Sequence, residues 1–258
     1  MPNKRPLILI SNDDGYQAGG LKALIEAARQ YGDLLVVAPA EGQSGMSHAL
    51  TVKTPIRVDK HIEEQGFTLY VCSGTPCDCI KIALNRLVPV KPDLLLTGVN
   101  HGANSSASVL YSGTMAAAIE GCMYGIPAIG FSLLEHSPFA DFSPYIKYMQ
   151  TIIEKIIKYG LRNGSCLNVN IPKIQVDNIR GIRICRQGRG YWEEEFVHRK
   201  DPNNRDYYWL TGDFFNEEPD ADDTDEWALK NNYISIVPVQ IDMTCYQSID
   251  RMKEIFNT

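Results

Sequence analysis

No stretch of this 258-residue chain approaches the roughly 18 uncharged apolar residues that a membrane-spanning helix requires. The first five residues, Met1 to Arg5, are polar and lead straight into a short apolar strand, without the apolar core and small-residue cleavage site of an export signal. The expected location is therefore cytoplasmic, with no membrane partner. Basic residues are in deficit: 25 Lys and Arg stand against 31 Asp and Glu, a net charge of −6. That argues against a duplex nucleic acid as partner. It leaves room for a small anionic substrate, because a bound metal reverses the local field.

Other signatures are missing too. The seven cysteines (72, 77, 79, 122, 166, 185 and 245) are odd in number, and most sit in apolar strand or helix patterns. They read as buried free thiols in a reducing compartment. Cys77-Asp78-Cys79 has the wrong spacing for a zinc knuckle or a redox pair, and the five histidines show no close zinc-ligand spacing. Residues 15–22 superficially resemble a P-loop, but Leu21 stands where the lysine should follow the last glycine. Neither a dinucleotide-binding Gly-x-Gly-x-x-Gly nor a Gly-x-Ser-x-Gly nucleophile elbow is present.

What remains is an ordinary globular composition, 44% apolar and 22% charged, long enough for one large α/β domain or a domain with an appendage. Apolar runs alternate with helical periodicity through the first two thirds. Strands are expected at 7–11, 34–38, 67–72, 93–99 and 128–133, and helices at 20–31, 76–87, 114–124 and 145–159. Thr75 is placed to cap the second helix, with Pro76 at its first position. Continuous apolar strands separated by helices imply a mostly parallel sheet covered on both faces. Further strands are expected at 167–171, 181–185 and 233–241. Residues 191–210 read as a long hairpin turning at 201–204, residues 213–226 as a solvated acidic loop, and residues 246–256 as a terminal helix. The expected division is an α/β core over 1–188, a protruding hairpin over 189–212, and the acidic loop, returning strand and helix over 213–258.

In a parallel sheet, ligands gather beyond the carboxyl ends of the strands. Asp13 and Asp14 fall at such an end. Adjacent carboxylates repel, and burying both is costly unless a divalent cation compensates; Gly15 supplies the turn that lets both reach one ion. Capping of the following helix is the alternative reading of the pair. Two more polar loops, residues 41–48 and 100–104, emerge on the same edge and offer carboxylate, hydroxyl and amide oxygens. Such a set suits Mg²⁺ or Mn²⁺ and is poor for zinc. Ser112-Gly113-Thr114 opens a helix of small residues, and its free amides make an anion site. Capping by Ser112 or Thr114 is compatible with that role.

Five motifs in order complete the pattern: residues 11–15 (Ser-Asn-Asp-Asp-Gly), 44–51 (Ser-Gly-Met-Ser-His-Ala-Leu-Thr), 74–79 (Gly-Thr-Pro-Cys-Asp-Cys), 98–104 (Gly-Val-Asn-His-Gly-Ala-Asn) and 111–118 (Tyr-Ser-Gly-Thr-Met-Ala-Ala-Ala). With these the chain resembles the SurE-type survival-protein nucleotidases, over nearly its whole length. The resemblance implies a Rossmann-like three-layer α/β/α fold. It implies hydrolysis of nucleoside 5′- and 3′-monophosphates with one divalent ion per subunit, and in some members of short polyphosphate. The family's metal ligands match Asp13, Asp14, Ser44 and Asn100. Its phosphate-side residues match Asn12, Gly45, Asn104, Ser112, Gly113 and Thr114. A homodimer or homotetramer is implied, with the C-terminal hairpin and helix exchanged between subunits. The Ser-rich loop at 103–110 and the hairpin depart from the family pattern.

The mechanism expected on this reading has the ion polarise the phosphoryl group and activate water. Asn12, Asn104 and the amides at Ser112 to Thr114 steady the developing charge. A covalent aspartyl-phosphate is the competing route. His48, in the Ser44 loop, is the candidate acid for the leaving alkoxide, against the alternative of a loop histidine in a structural hydrogen bond. The rival class is a non-catalytic nucleotide-sensing protein on the same fold.

Overall fold

The computed structural model describes residues 5–193 and 196–256. Most of the polar N-terminal lead, residues 1–4, and two hairpin positions, Glu194 and Glu195, lie outside that range.

The chain begins with β1 (Leu7–Ser11), α1 (Gly19–Ala28), β2 (Asp33–Pro39), β3 (Val58–Glu64) and β4 (Phe67–Cys72). Next come α2 (Pro76–Ile82), β5 (Leu94–His101), α3 (Gly113–Met123), β6 (Ala128–Leu133), α4 (Ile146–Tyr159) and β7 (Ser165–Ile171). The sheet order begins β3-β4-β2-β1-β5-β6-β7. From β4 to β7 the neighbours are parallel, while β3 runs antiparallel on the outer edge. The connection from β1 goes to β2 on one side, and the chain later returns as β5 on the other. The switch point therefore lies between the carboxyl ends of β1 and β5, where Ser11 pairs with Thr97.

Alternation along the strands explains the layers. Ile8 and Ile10 of β1 face α1 and α4, together with Leu94, Leu96 and Phe131. Leu9 points the other way and packs with Leu95, Ile80 of α2 and Met115 of α3. Both faces of these strands are buried, which is why their sequences read as unbroken apolar runs.

Helix α2 starts as its sequence specifies. The Thr75 hydroxyl accepts from the Asp78 amide, and the Asp78 carboxylate accepts from the Thr75 amide at 2.9 Å. The same carboxylate takes the amide of Thr51, and the Thr75 hydroxyl donates to the Ala49 carbonyl at 2.8 Å. The cap thus also anchors the chain leaving the Ser44 loop. The expected helix over 76–87 is shorter than read: it ends at Ile82 and widens into a π-type turn over Ala83–Leu87. The Asn85 side chain takes the Lys81 carbonyl at 2.7 Å, in competition with the regular helical bond.

The last third holds β8 (Ile182–Ile184), β9 (Gly190–Glu193), β10 (Phe196–Lys200), β11 (Asp206–Leu210), β12 (Asp213–Asn216), α5 (Asp225–Lys230), β13 (Ile234–Gln240) and α6 (Tyr246–Phe256). Strands β9 and β12 pair antiparallel, as do β10 and β11. The hairpin therefore extends to Asn216, past the expected end at 212. The acidic stretch is not all loop: it begins with β12 and ends in α5, whose first turn is capped by Thr224. The returning strand β13 lies between β7 and β8 inside the main sheet, antiparallel to β7 and parallel to β8. No residue of α6 is buried. Among the described residues, no helix is long and apolar enough to cross a membrane.

The α4 contact is a direct test of this packing. Ile153 is fully buried against the sheet. Ile153→Ala is expected to lower stability by about 2–5 kcal/mol in chemical denaturation followed by far-UV circular dichroism; a loss under about 1 kcal/mol would contradict the assigned packing.

Candidate metal and phosphate site

The chain leaves β1 at the switch point and turns at once. Asn12 is fully buried, and its amide donates to the Gly15 carbonyl at 2.9 Å, closing the turn. Gly15 has φ +94°, a conformation that a side chain would strain. This turn sends Asp13 and Asp14 to different partners. The Thr114 hydroxyl donates to Asp13 at 2.5 Å. Asp14 accepts from the His101 amide at 3.2 Å. Gly113 sits against Asp13 so closely that a Cβ there would lie 2.9 Å from the Asp13 Cβ. The start of α3 and the end of β5 are thus built around the two carboxylates.

Asn100 is oriented by its own loop. Its side-chain amide donates to the carbonyls of His101 and Gly102 at 3.0 and 2.8 Å. With both N–H groups used, the amide oxygen is the atom left for the cleft that Asn100 lines. The Ser44 loop is tethered to the same turn by the Gln43 amide, which donates to the Asp13 carbonyl at 2.7 Å. Asp13, Ser44, Gly45, Asn100, Asn104 and Ser112 line one cleft of about 420 Å³.

The electrostatics of this cleft are one-sided. Burial, and then the neighbouring charge of Asp14, push the Asp13 carboxyl up to about 6, despite hydrogen bonds from Thr114. Burial also raises Asp14. Among the described residues lining the cleft there is no lysine or arginine. Two destabilised carboxylates, an amide oxygen and a hydroxyl are hard oxygen donors, and they fit a divalent cation such as Mg²⁺ or Mn²⁺. The donor set carries no thiolate or imidazole that would favour zinc.

The remaining sequence-predicted residues divide. Ser112 caps α3 by accepting from the Met115 amide at 2.9 Å, and it also lines the cleft. Thr114 has its hydroxyl committed to Asp13, so it orients that carboxylate and is not free to offer the same group to phosphate. Asn12 closes the turn from beneath the site and is not among the lining residues; its buried side-chain oxygen has no hydrogen-bond partner among the described residues. His48 also falls outside the cleft lining. Its Nε2 lies 2.8 Å from Glu120 on α3. Burial would raise Glu120, but hydrogen bonds from His48 and Lys81 outweigh it and hold the carboxyl below its usual range. His48, Glu120 and the buried Cys77 form a cluster of possible metal donors. Both Glu120 oxygens are already paired, one with the Lys81 ammonium at 2.8 Å, and burial pushes the Cys77 thiol up to about 12. The cluster is an ion-pair network tying the Ser44 loop to α3.

Sequence reasoning missed other contributors. His101 lines the cleft beside Asn100, its ring edge-on to Phe142 at 4.9 Å. Asn104 rests on a buried amide network: its amide nitrogen donates to Ser132, and its backbone N–H to Asn170, both at 2.8 Å. Asn168 donates to the Asn104 carbonyl at 2.7 Å. The available signal was Asn168 and Asn170 alternating within an apolar strand that is buried on both faces, where an unpaired amide is costly.

Because its folded pKa is raised above the unfolded value near 3.9, the Asp13 carboxyl stabilises the metal-free fold fully only at low pH. That contribution is lost as pH rises through about 6. In EDTA, Asp13→Asn is therefore expected to be the more stable protein at pH 7.5, by on the order of 2 kcal/mol, with the gap closing below pH 5. Thermal melts across that range decide it; a variant less stable than the parent at pH 7.5 would refute the assignment.

The family profile described as Survival protein SurE matches residues 8–194. The chain is 49% identical to the 5′-nucleotidase SurE of Flavobacterium psychrophilum, covering 96% of each chain. It is 46% identical to that of Bacteroides fragilis, covering 98% of each. The crystal structure of the SurE protein from Aquifex aeolicus superposes with a TM-score of 0.83 at 34% identity, covering 97% of this chain and 99% of that one. With a family profile matching most of its length and relatives at 46–49% identity over nearly the whole of both chains, the chain belongs to the SurE survival-protein family.

Proposed function

We propose that the chain is a divalent-metal-dependent phosphomonoesterase that hydrolyses nucleoside 5′- and 3′-monophosphates to nucleoside and phosphate. The observation that carries this reading is a cleft of about 420 Å³ whose lining holds Asp13 and no basic side chain, with Asp14 on the adjoining turn. Such a cleft repels a phosphate dianion until a cation sits between them. The curated relatives named 5′-nucleotidase SurE support the substrate class. Short polyphosphate would satisfy the same phosphoryl contacts.

Asp13, Asp14, Ser44 and Asn100 would hold one Mg²⁺ or Mn²⁺ ion. When bound, that ion supplies Lewis-acid polarisation of the phosphoryl group and a water of lowered pKa. Asp13 is kept in one orientation by Thr114, and Asp14 by the His101 amide. Asn104 and Gly45 line the phosphate end, and the first amides of α3, at Gly113 and Thr114, place the positive end of a helix there. Asn12 acts from beneath by fixing the turn. Of the two histidines, His101 is the one positioned to protonate the leaving alkoxide, because it lines the cleft while His48 is bound to Glu120.

A homodimer or homotetramer accords with the surface of the isolated chain. Tyr208, Trp209 and Leu210 of the hairpin are 61%, 62% and 71% exposed, and Phe256 of α6 is 78% exposed. So large an uncovered aromatic surface is typical of a contact between subunits.

Phosphate release from AMP with Mn²⁺ is expected to stop with EDTA and to fall by at least about 100-fold in Asp14→Ala. Nucleotide binding without metal-dependent release would favour a sensor instead. With a poor leaving group, His101→Ala is expected to lower kcat by about 100-fold. His48→Ala is expected to leave the pH profile unchanged.

A further inference from the structure

The nucleoside end of the cleft is walled by two segments far apart in sequence. One is the 3-10 turn Ser106–Tyr111, from which Ser108 and Tyr111 line the space. The other is the hairpin, which contributes Trp192 from β9 and Leu210 from β11. Neither segment belongs to the main sheet. The turn and the root of the hairpin meet at a buried carboxylate, Asp225, at the start of α5.

Asp225 is 1% exposed. One of its oxygens accepts from the Ser106 amide at 2.9 Å. The other accepts from the Gly188 amide at 2.8 Å and from the Glu226 amide at 2.9 Å. Ser106 is also fully buried, and its hydroxyl donates directly to the Gly188 carbonyl at 2.8 Å. The first residue of the wall and the root of the hairpin are thus joined twice, once directly and once through Asp225. Ser106 has φ +48°, a strained conformation for a residue with a side chain, and it persists only because these bonds over-determine it. The Asp225 amide in turn donates to the Arg186 carbonyl at 3.0 Å, so the start of α5 is fastened to the strand leading into the hairpin.

We propose that Asp225 is a positioning residue for nucleoside recognition: it sets the gap between the Ser106–Tyr111 wall and Trp192, so that a nucleobase stacks on the indole. The proposal rests on the nucleotidase reading of the cleft. Trp192 is edge-on to Phe214 at 5.9 Å, which braces the ring from the neighbouring strand. Base stacking on an aromatic side chain tolerates any base, because each presents a π-face. Asp225 touches no reacting atom. Its loss should therefore weaken binding of the base-bearing part of the substrate and spare the phosphoryl chemistry.

The test compares AMP with ribose 5-phosphate, which keeps the sugar and phosphate but has no aromatic ring, in Asp225→Asn and Trp192→Ala, with Mn²⁺ present. In Asp225→Asn an NH2 group replaces one acceptor oxygen and its hydrogens face backbone N–H groups. The expected result is a KM for AMP raised about tenfold with kcat within threefold, and kcat/KM for ribose 5-phosphate within threefold of the parent. Trp192→Ala should show the same split. AMP should also quench the tryptophan fluorescence of the parent, and do so much less in Trp192→Phe. Equal losses on both substrates, or no change in KM for AMP in either variant, overturn the proposal. Should Asp225→Asn not fold, Asp225→Glu, which keeps both acceptors but displaces them by one methylene, takes its place: the same split between AMP and the base-free substrate is expected, and an unchanged KM for AMP overturns the proposal. Absence of metal-dependent release by the parent defeats the nucleotidase reading instead, and AMP quenching of the parent against Trp192→Phe still tests the base platform.

Discussion

The structure is arranged around the repulsion between two adjacent carboxylates at a point where the fold buries them. Asp13 lies almost wholly out of water at the end of a central strand, with Asp14 beside it. Everything close by either fixes their direction or accommodates their charge. Thr114 and the start of α3 hold one, the His101 amide holds the other, and Gly113 is small because Asp13 needs the room. A sheet that merely needed to fold would replace the pair with apolar residues. A carboxylate pair held at the switch point, in a cleft without a lysine or arginine in its lining, is the electrostatic basis of the proposed metal and phosphate site.

The supporting layers follow from the same constraint. The Ser44 loop could swing freely, yet it is bound at several places: to the Asp13 carbonyl through Gln43, to the wall segment through Ser47, to Glu120 through His48, and to the cap of α2 near Thr51. The motif at 74–79, which contributes nothing to the cleft itself, thereby earns its place as an anchor. Rigid support of this kind keeps a weak hydroxyl donor in position beside stronger carboxylate ligands.

The parallel core was legible because its strands are buried on both faces and so carry unbroken apolar runs, and the polar loops between them fell on one edge. That placed Asp13, Asp14, Ser44, Asn100 and Ser112 together. What could not be read depends on side-chain direction. His48 and His101 sit in similar polar loops, and only the packing of α3 shows that one meets Glu120 and the other lines the cleft. Thr114 and Asn12 fell in the right neighbourhood, but the Thr114 hydroxyl and the Asn12 amide nitrogen are both bonded to the scaffold. Helix α5 was hidden by its acidity, although Thr224 followed by Asp225 and Glu226 is an ordinary capped start. Strand β3 escaped notice because it is an exposed edge with little apolar alternation.

The placement of β13 between β7 and β8 bears on how the chain is made. A growing chain emerges from its N-terminus, so β7 is complete long before residues 234–240 exist. Throughout that interval β7 is the raw edge of a parallel sheet, with Val169 and Ile171 beside unpaired backbone groups. The hairpin is synthesised during the same window. Closure of the sheet is thus a late, long-range event, separated in time from formation of the metal-binding half. During that delay the nascent protein is most exposed to wrong pairing with another chain.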